Sequence, residues 1–411
     1  MNKEGNMKTR NLFFILFVLI FVLSACGPKN TGELSPAQQT AIAGTVTAVF
    51  SELQASQTAR LPESTQTATP EPTPTPTATQ PPTPVIVGPN EYPEGVNPLT
   101  GLEVENPDLL KRRPVIMKVS NHQIDYQPHW GLSSADIVFE YFIGWGANRF
   151  AALYYGQDSD FIGPIRSIRR VDGQLGSLYE AVIGSTGGDL NDVLPYIGSY
   201  IPGRYFIDKY LCPGVCDDGR NMVYSVRANS AALSDYFSQN GYGNENPDLR
   251  GMAFSEEVPE GGQKGESAWV HYSYADYSRW VYNPETGKYT LWAYGEATGD
   301  QFKPLIDQNT GEALEFSNVI VLQARYTQLK DALHNIDLIG NSDGQKATVF
   351  RDGMVYDATW KTPQSTSPIQ YFDSEGYTFY LKPGNTWIAI FGLTSPIEVE
   401  NGDWSISFSM P

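Results

Sequence analysis

The chain has 411 residues, a formal net charge of −18 and an isoelectric point near 4.6. So acidic a balance excludes nucleic acid as a partner and excludes electrostatic docking on anionic lipid. Hydrophobic residues make up 41% and aromatic residues 12%, enough for a folded body with a β bias; sugar- or peptide-binding faces are the other use for so many Tyr and Trp.

Lys3, Lys8 and Arg10 precede an unbroken apolar run from Leu12 to Leu23. A spanning helix needs roughly 20 residues to cross a ~30 Å hydrocarbon core, and this run is too short. It matches the apolar region of a signal peptide instead. Leu23-Ser24-Ala25-Cys26 then reads as a lipobox, with small residues for a narrow peptidase site and a thiol for alkylation. The expectation is a signal peptide over 1–25 and a mature chain that begins at an acylated Cys26. Acyl chains such as palmitate contribute roughly 0.8 kcal/mol per buried methylene and hold it to the bilayer. Its expected place is the extracytoplasmic face of the plasma membrane. The alternative is an uncleaved anchor helix that happens to end in cysteine.

Residues 26–96 are expected to form a stalk. Ser35 as N-cap, Pro36, and then Ile42, Val46, Val49 or Phe50 and Leu53 give one narrow helical stripe between Asn30 and Arg60. From Leu61 to Pro84 the chain is rich in Pro and Thr, which favours extended polyproline II. At ~3 Å per residue, about 20 such residues reach some 60 Å.

Residues 97–245 predict an α/β (α+β) domain. VIMKVS (Val115 to Ser120), ADIVFEYFI (Ala135 to Ile143) and RFAALYYG (Arg149 to Gly156) read as strands, the last two joined as a hairpin through a four-residue loop, Gly144 to Ala147. A helix is expected from Gly163-Pro164 through Tyr179. The strand AVIGS (Ala181 to Ser185) then leads to a helix capped by Asp189, and another helix starts near Asn229-Ser230. The Gly-, Pro- and Glu-rich stretch 241–265 marks a boundary. Beyond it, residues 265–411 read as a mainly β domain: WVHYSY, SRWVYN, KYTLWAYG, NVIVLQARY, ATVFRDG, MVYDATW, YTFYL and TWIAIFG.

Cys212 and Cys216 lie four apart in LCPGVCDDG. Outside the cell such a pair most often forms a disulfide; free thiols and a metal site are the alternatives. Zinc would need two further ligands, and the chain has only four histidines, His122, His129, His271 and His334. Neither a metal nor a cofactor is expected.

Glu140 is the most informative single residue, because a carboxylate inside an apolar strand needs a partner. With a four-residue loop, Phe142 faces Arg149 and Glu140 becomes its diagonal neighbour on one face. The plain reading is an ion pair tying the hairpin; the functional one is a charged clamp beside Arg166, Arg169 and Arg170. On a helix starting after Pro164 those arginines would gather three guanidinium groups, suited to a phosphate or carboxylate. A solvated helix face is the plain alternative. Asn121, His122 and Asp136 flank the same strands and complete the candidate anion or ligand set. No nucleophile elbow, HExxH or P-loop is present.

Several blocks, in order, carry a family resemblance: NPLTGLEV, RPVIMKVSNH, GLSSADIVFE, NRFAALYYGQ and GPIRSIR, then D-x-x-TGE, NVIVLQ, ATVFRDGMVYDATWK and PGNTWIAIF. Together they resemble the YerB-like lipoproteins over nearly all of Asn97 to Phe391. The resemblance implies two domains and a membrane-anchored location, and it implies no reaction. A solute-binding lipoprotein for a transporter fits poorly, since such proteins usually have two similar α/β lobes, and two other functions compete. One is a non-catalytic module binding a cell-wall polymer, peptidoglycan or another envelope protein. The other is an envelope enzyme acting on an anionic or phosphorylated substrate through an Arg-lined site.

Overall fold

The computed structural model describes residues 85–121, 128–220, 225–243, 246–293 and 302–410. The signal peptide, Cys26, the stalk through Pro84 and His122 lie outside the described residues.

The first strands of the main sheet, Val115–Asn121 (β1), Ile137–Gly144 (β2) and Ala147–Tyr154 (β3), are buried along nearly their whole length. Their near-continuous apolar character follows from being covered on both faces. Helix Arg170–Leu178 (α1), strand Val182–Gly184 (β4), helix Val193–Tyr200 (α2) and strand Tyr205–Phe206 (β5) come next. Then follow Tyr210–Leu211 (β6), Val215–Asp217 (β7), Val226–Ala228 (β8) and helix Ser230–Gln239 (α3). Asn229 caps α3, its side chain accepting from the Ala232 amide.

The second half is β throughout. Ser267–His271 (β9), Tyr277–Asn283 (β10) and Lys288–Ala293 (β11) form a meander. The long Asn318–Lys330 (β12) is followed by Leu333–Asp337 (β13), Gln345–Arg351 (β14), Met354–Lys361 (β15), Thr386–Gly392 (β16), Ile397–Glu400 (β17) and Asp403–Ser407 (β18).

Strands of both halves share one sheet. Its main path runs β15-β14-β12-β16-β2-β3-β1-β4-β5, and the join is β16 lying parallel to β2, with Thr386 opposite Ile137 and Ile390 opposite Tyr141. A smaller sheet, β11-β10-β9-β18-β17, packs on one face together with α3, burying Trp280, Leu291, Trp387 and Ile406. The other face is covered by α1, α2 and β13. The described residues, from 85 onward, form one compact unit. Gln174 of α1 shows how closely the halves interlock: its amide donates to the Ile336 carbonyl (2.8 Å) and accepts from the Leu338 and Ile339 amides (2.8 and 3.0 Å).

Four local expectations are corrected. The hairpin loop is two residues, Trp145-Gly146, with an irregularity between Phe142 and Gly144, rather than four. Residues 164–168 are extended, not helical, because their backbone groups bond across to neighbours: Ser120 to Pro164, Ile165 to Val226, Arg166 to Lys118 and Ile168 to Gly187. The cap of α2 is Asp192; Asp189 instead accepts from the Asn191 and Asp192 amides one turn earlier. YTFYL is not a regular strand and makes only isolated bridges, at Thr378 and Leu381.

Candidate functional site

On the helix-facing side of the sheet, Ser120, Arg149 and Tyr141 form one rung across β1, β3 and β2. Behind them Lys118 is fully buried, its ammonium 3.1 Å from Asp172 and 3.0 Å from the Phe150 carbonyl, and hydrogen-bonded to the Tyr141 hydroxyl. Tyr141 in turn donates to Asp172. Asp172 sits in the first turn of α1 and accepts the backbone N–H of the N-cap residue, Arg169, at 2.6 Å. Burial pulls Lys118 down to about 8 against the opposing pull of Asp172, and the nearby Arg149 and Arg169 depress it further. The same desolvation, followed by the Asp172 charge, pushes the Tyr141 phenol well above its ordinary range. The network therefore fixes the entry of α1, and with it Arg169.

Arg169 opens onto a cleft of about 620 Å³ that it lines with Trp145, Asp189, Val193, Lys330, Asp331 and Leu333. Trp145 is 78% exposed and adopts a left-handed backbone (φ 52°), followed by Gly146 at φ 72°. Paired positive φ values are those of a type I′ turn, which normally selects Asn-Gly or Asp-Gly. A large aromatic there costs about 1–2 kcal/mol of backbone strain. The turn is gripped from two sides. A Cβ on Gly144 would come within 2.8 Å of the Ala332 Cα, and Ser273 Oγ donates to the Gly146 carbonyl at 2.8 Å.

Glu140 lies on the opposite face of the hairpin, beneath the smaller sheet. It is 2% exposed, and its carboxylate accepts from the Asn148 side-chain amide and, at 2.8 Å, from the Trp387 indole. Asp276, equally buried, accepts from the Asn148 backbone N–H (2.8 Å) and side-chain amide (3.3 Å). Desolvation raises Glu140 to about 8 and Asp276 to about 7.

The expected Glu140–Arg149 pair does not form. Glu140 is opposite Phe150 and Arg149 opposite Tyr141, because the irregularity between Phe142 and Gly144 shifts the ladder by one residue and moves the two charges to different faces. Arg166 and Arg169 are not three apart on a helix; Arg166 lies in the extended segment, its N–H on Lys118 O, and only Arg169 reaches the cleft. Arg170 is turned away, paired with Asp192 at 2.8 Å and stacked on Tyr196. Asn121 donates to Asn148 at 2.6 Å and so belongs with Glu140. Asp136 is buried in a seam elsewhere, accepting from Asn97 and the Tyr155 and Gly156 amides; burial lifts it to about 6. That seam borders a groove of about 640 Å³, but Asn97 and Asp136 are bonded to each other and Arg112 to Asp158, so its polar groups serve the fold. Cys212 and Cys216 are joined by a disulfide across the β6–β7 turn. Among the described residues no cluster of His, Cys, Asp and Glu could hold a metal, and no helix is long and apolar enough to cross a membrane.

Sequence reading passed over Lys118, Tyr141, Asp172, Trp145, Asn148, Asp276 and Trp387. Lys118 carried the same signal as Glu140, a charge within an apolar strand. Trp145 carried another, a bulky aromatic where turn chemistry calls for Asn or Asp.

Two family models match the chain. One is described as the N-terminal domain of a protein of unknown function (DUF3048) and covers residues 99–210; the other is its C-terminal domain, over 268–388. The chain is 25% identical over 318 residues to a Bacillus subtilis (strain 168) protein described as "Putative lipoprotein YerB", covering 74% of this chain and 89% of that one. It also resembles the crystal structure of the YerB protein from Bacillus subtilis, with a TM-score of 0.57 and 23% identity, over 72% of this chain and 96% of that chain. That likeness concerns the fold. With both domains matched in order, the chain belongs to the DUF3048 family, the YerB-like proteins.

Proposed function

We propose that this protein is a lipoprotein held by acylated Cys26 to the outer face of the plasma membrane, whose folded body is a non-catalytic binding module for a cell-envelope component. The anchor is supported by the basic flank, short apolar run and LSAC sequence, and by the lipoprotein description of its Bacillus relative. The Pro/Thr stretch between Leu61 and Pro84 supplies reach into the wall layer.

One observation carries the binding reading: a solvent-exposed Trp145, kept in a strained turn, stands beside Arg169 and Lys330 at an open cleft. An aromatic face stacks on a sugar ring, and flanking cations meet phosphate or carboxylate, the pairing that an anionic wall polymer presents. Strain held at an exposed aromatic is expected where that residue is used.

An enzyme acting on an anionic substrate has one point in favour, the convergence of Arg149 and Arg169 near Lys118. Its acid would have to be Asp189 or Asp331 of the cleft, since Glu140 is sealed on the other face. The test is retention of the full chain on purified bacterial cell walls, with and without their anionic polymers. Retention that depends on the polymers and is lost in Arg169→Ala supports the binding reading, and equal retention of both proteins, or none, counts against it.

A further inference from the structure

Asn148 links the two buried carboxylates to the turn that presents Trp145. Its backbone N–H and side-chain amide both reach Asp276, and the same amide reaches Glu140. Asp276 belongs to the loop that holds the turn. Ser273 Oγ accepts from the Ala275 and Asp276 amides and donates to the Gly146 carbonyl. One loop thus grips the hairpin at both Gly146 and Asn148, on either side of the step that follows Trp145.

Among the described residues around the pair there is no compensating cation. β3 contributes Asn148 and Phe150, and β16 contributes the Trp387 indole. From the loop after β9, the Tyr272 hydroxyl donates to the Glu140 backbone carbonyl at 3.0 Å; from β12, the Tyr326 hydroxyl donates to the Ile390 carbonyl. Among the described residues neither carboxylate has an ion pair with Lys, Arg or His, and Arg149 lies on the other face. Two buried carboxylates that share one amide and no cation favour a state in which at least one is protonated. A cavity of about 10 Å³, close to the size of one water, touches both Glu140 and Asp276 and gives a proton somewhere to arrive from.

We propose that Glu140, Asn148 and Asp276 form a proton-dependent latch on the Trp145 turn, closed while the carboxylates retain a proton and loosened when both are ionised. The consequence for ligand binding rests on the reading of the Trp145 cleft as the binding site; the latch itself does not. Burial places the titrations of Asp276 and Glu140 near 7 and 8, so the device works around neutral pH. Below neutral pH the turn is firm and Trp145 is presented; toward alkaline pH the cost of burying two charges outweighs the Asn148 bonds to them, the closed loop gives way and binding falls.

Amide hydrogen exchange of the full chain, read on peptides spanning residues 142–150 between about pH 6 and pH 9 and corrected for intrinsic rates, tests it. Protection at Asn148 is expected to fall by roughly tenfold over a pH unit near neutrality, the slope of one linked proton. Glu140→Gln and Asp276→Asn should each flatten that change, and if one fails to fold the other carries the comparison. Corrected protection that stays constant in the native chain, or variants that follow it, would overturn the latch. Wall retention measured on the same samples separates the two claims. An exchange transition with no retention at any pH leaves the latch standing and removes the binding reading. Retention without a transition does the reverse.

Discussion

Glu140 and Arg149 stand on opposite faces of one hairpin: Glu140 is opposite Phe150 on β3, whereas Arg149 is opposite Tyr141 on β2. The one-residue irregularity between Phe142 and Gly144 produces this separation. It gives the protein two polar systems that share strands but not surroundings, one buried under the smaller sheet and the other leading to a cleft.

The carboxylate system predicts an unusual pH dependence of stability. Glu140 rises from 4.5 to about 8 and Asp276 from 3.8 to about 7 in the folded protein. Between those limits the folded state binds more protons than the unfolded one, so stability falls as pH rises. The contribution is fully present below about 4 and has been lost above about 8. Glu140→Gln should flatten this decline, becoming more stable than the native chain at alkaline pH by urea unfolding. A parallel decline in the variant would show that other groups cause it.

His129 predicts the opposite limb. Its Nε2 bonds the Ser120 carbonyl at 2.7 Å, so that nitrogen carries the proton, and protonation would fall on a buried Nδ1 with no partner among the described residues. Burial lowers the ring to about 4. Below about 6.5 the unfolded state then binds a proton that the folded state refuses, and stability is lost as pH falls toward 4. The imidazole resonance of His129 should show no titration between about pH 7 and 5 by NMR. A midpoint near 6.5 would contradict the assignment.

The Lys118–Asp172 pair predicts asymmetric mutational costs. Both side chains are fully buried, so Asp172→Asn leaves an ammonium without its counter-charge and should cost about 3–5 kcal/mol. The double variant Lys118→Met with Asp172→Leu removes both charges and should cost less than either single change. Denaturant midpoints of the three proteins decide this. Additive losses would mean that the pair is not coupled.

Much of the fold was legible because its signals are local. Alternating and continuous apolar runs mark β1 to β3 and the strands of the second half, and Asn229 announces α3 by its capping chemistry. YTFYL shows the limit, since its residues have strand character but no open ladder to join. The site was less legible for a specific reason. Side-chain direction in a strand alternates, so the one-residue irregularity between Phe142 and Gly144, which no local pattern announces, reassigned Glu140 from one face to the other. Likewise Gly163-Pro164 suggested a helix start, but residues 164–168 are committed to extended pairing with β1 and β8. Asp276 and Trp387 were beyond reach from local pattern, because they meet Glu140 only through the join between halves.

The central claim is that Trp145 stays in a strained turn because it binds. Trp145→Asn tests it most directly, since Asn suits the left-handed position that Trp occupies at a cost. The full-chain variant should be at least as heat-stable as the native protein while losing retention on purified cell walls. Undiminished retention with the ring removed would contradict the account.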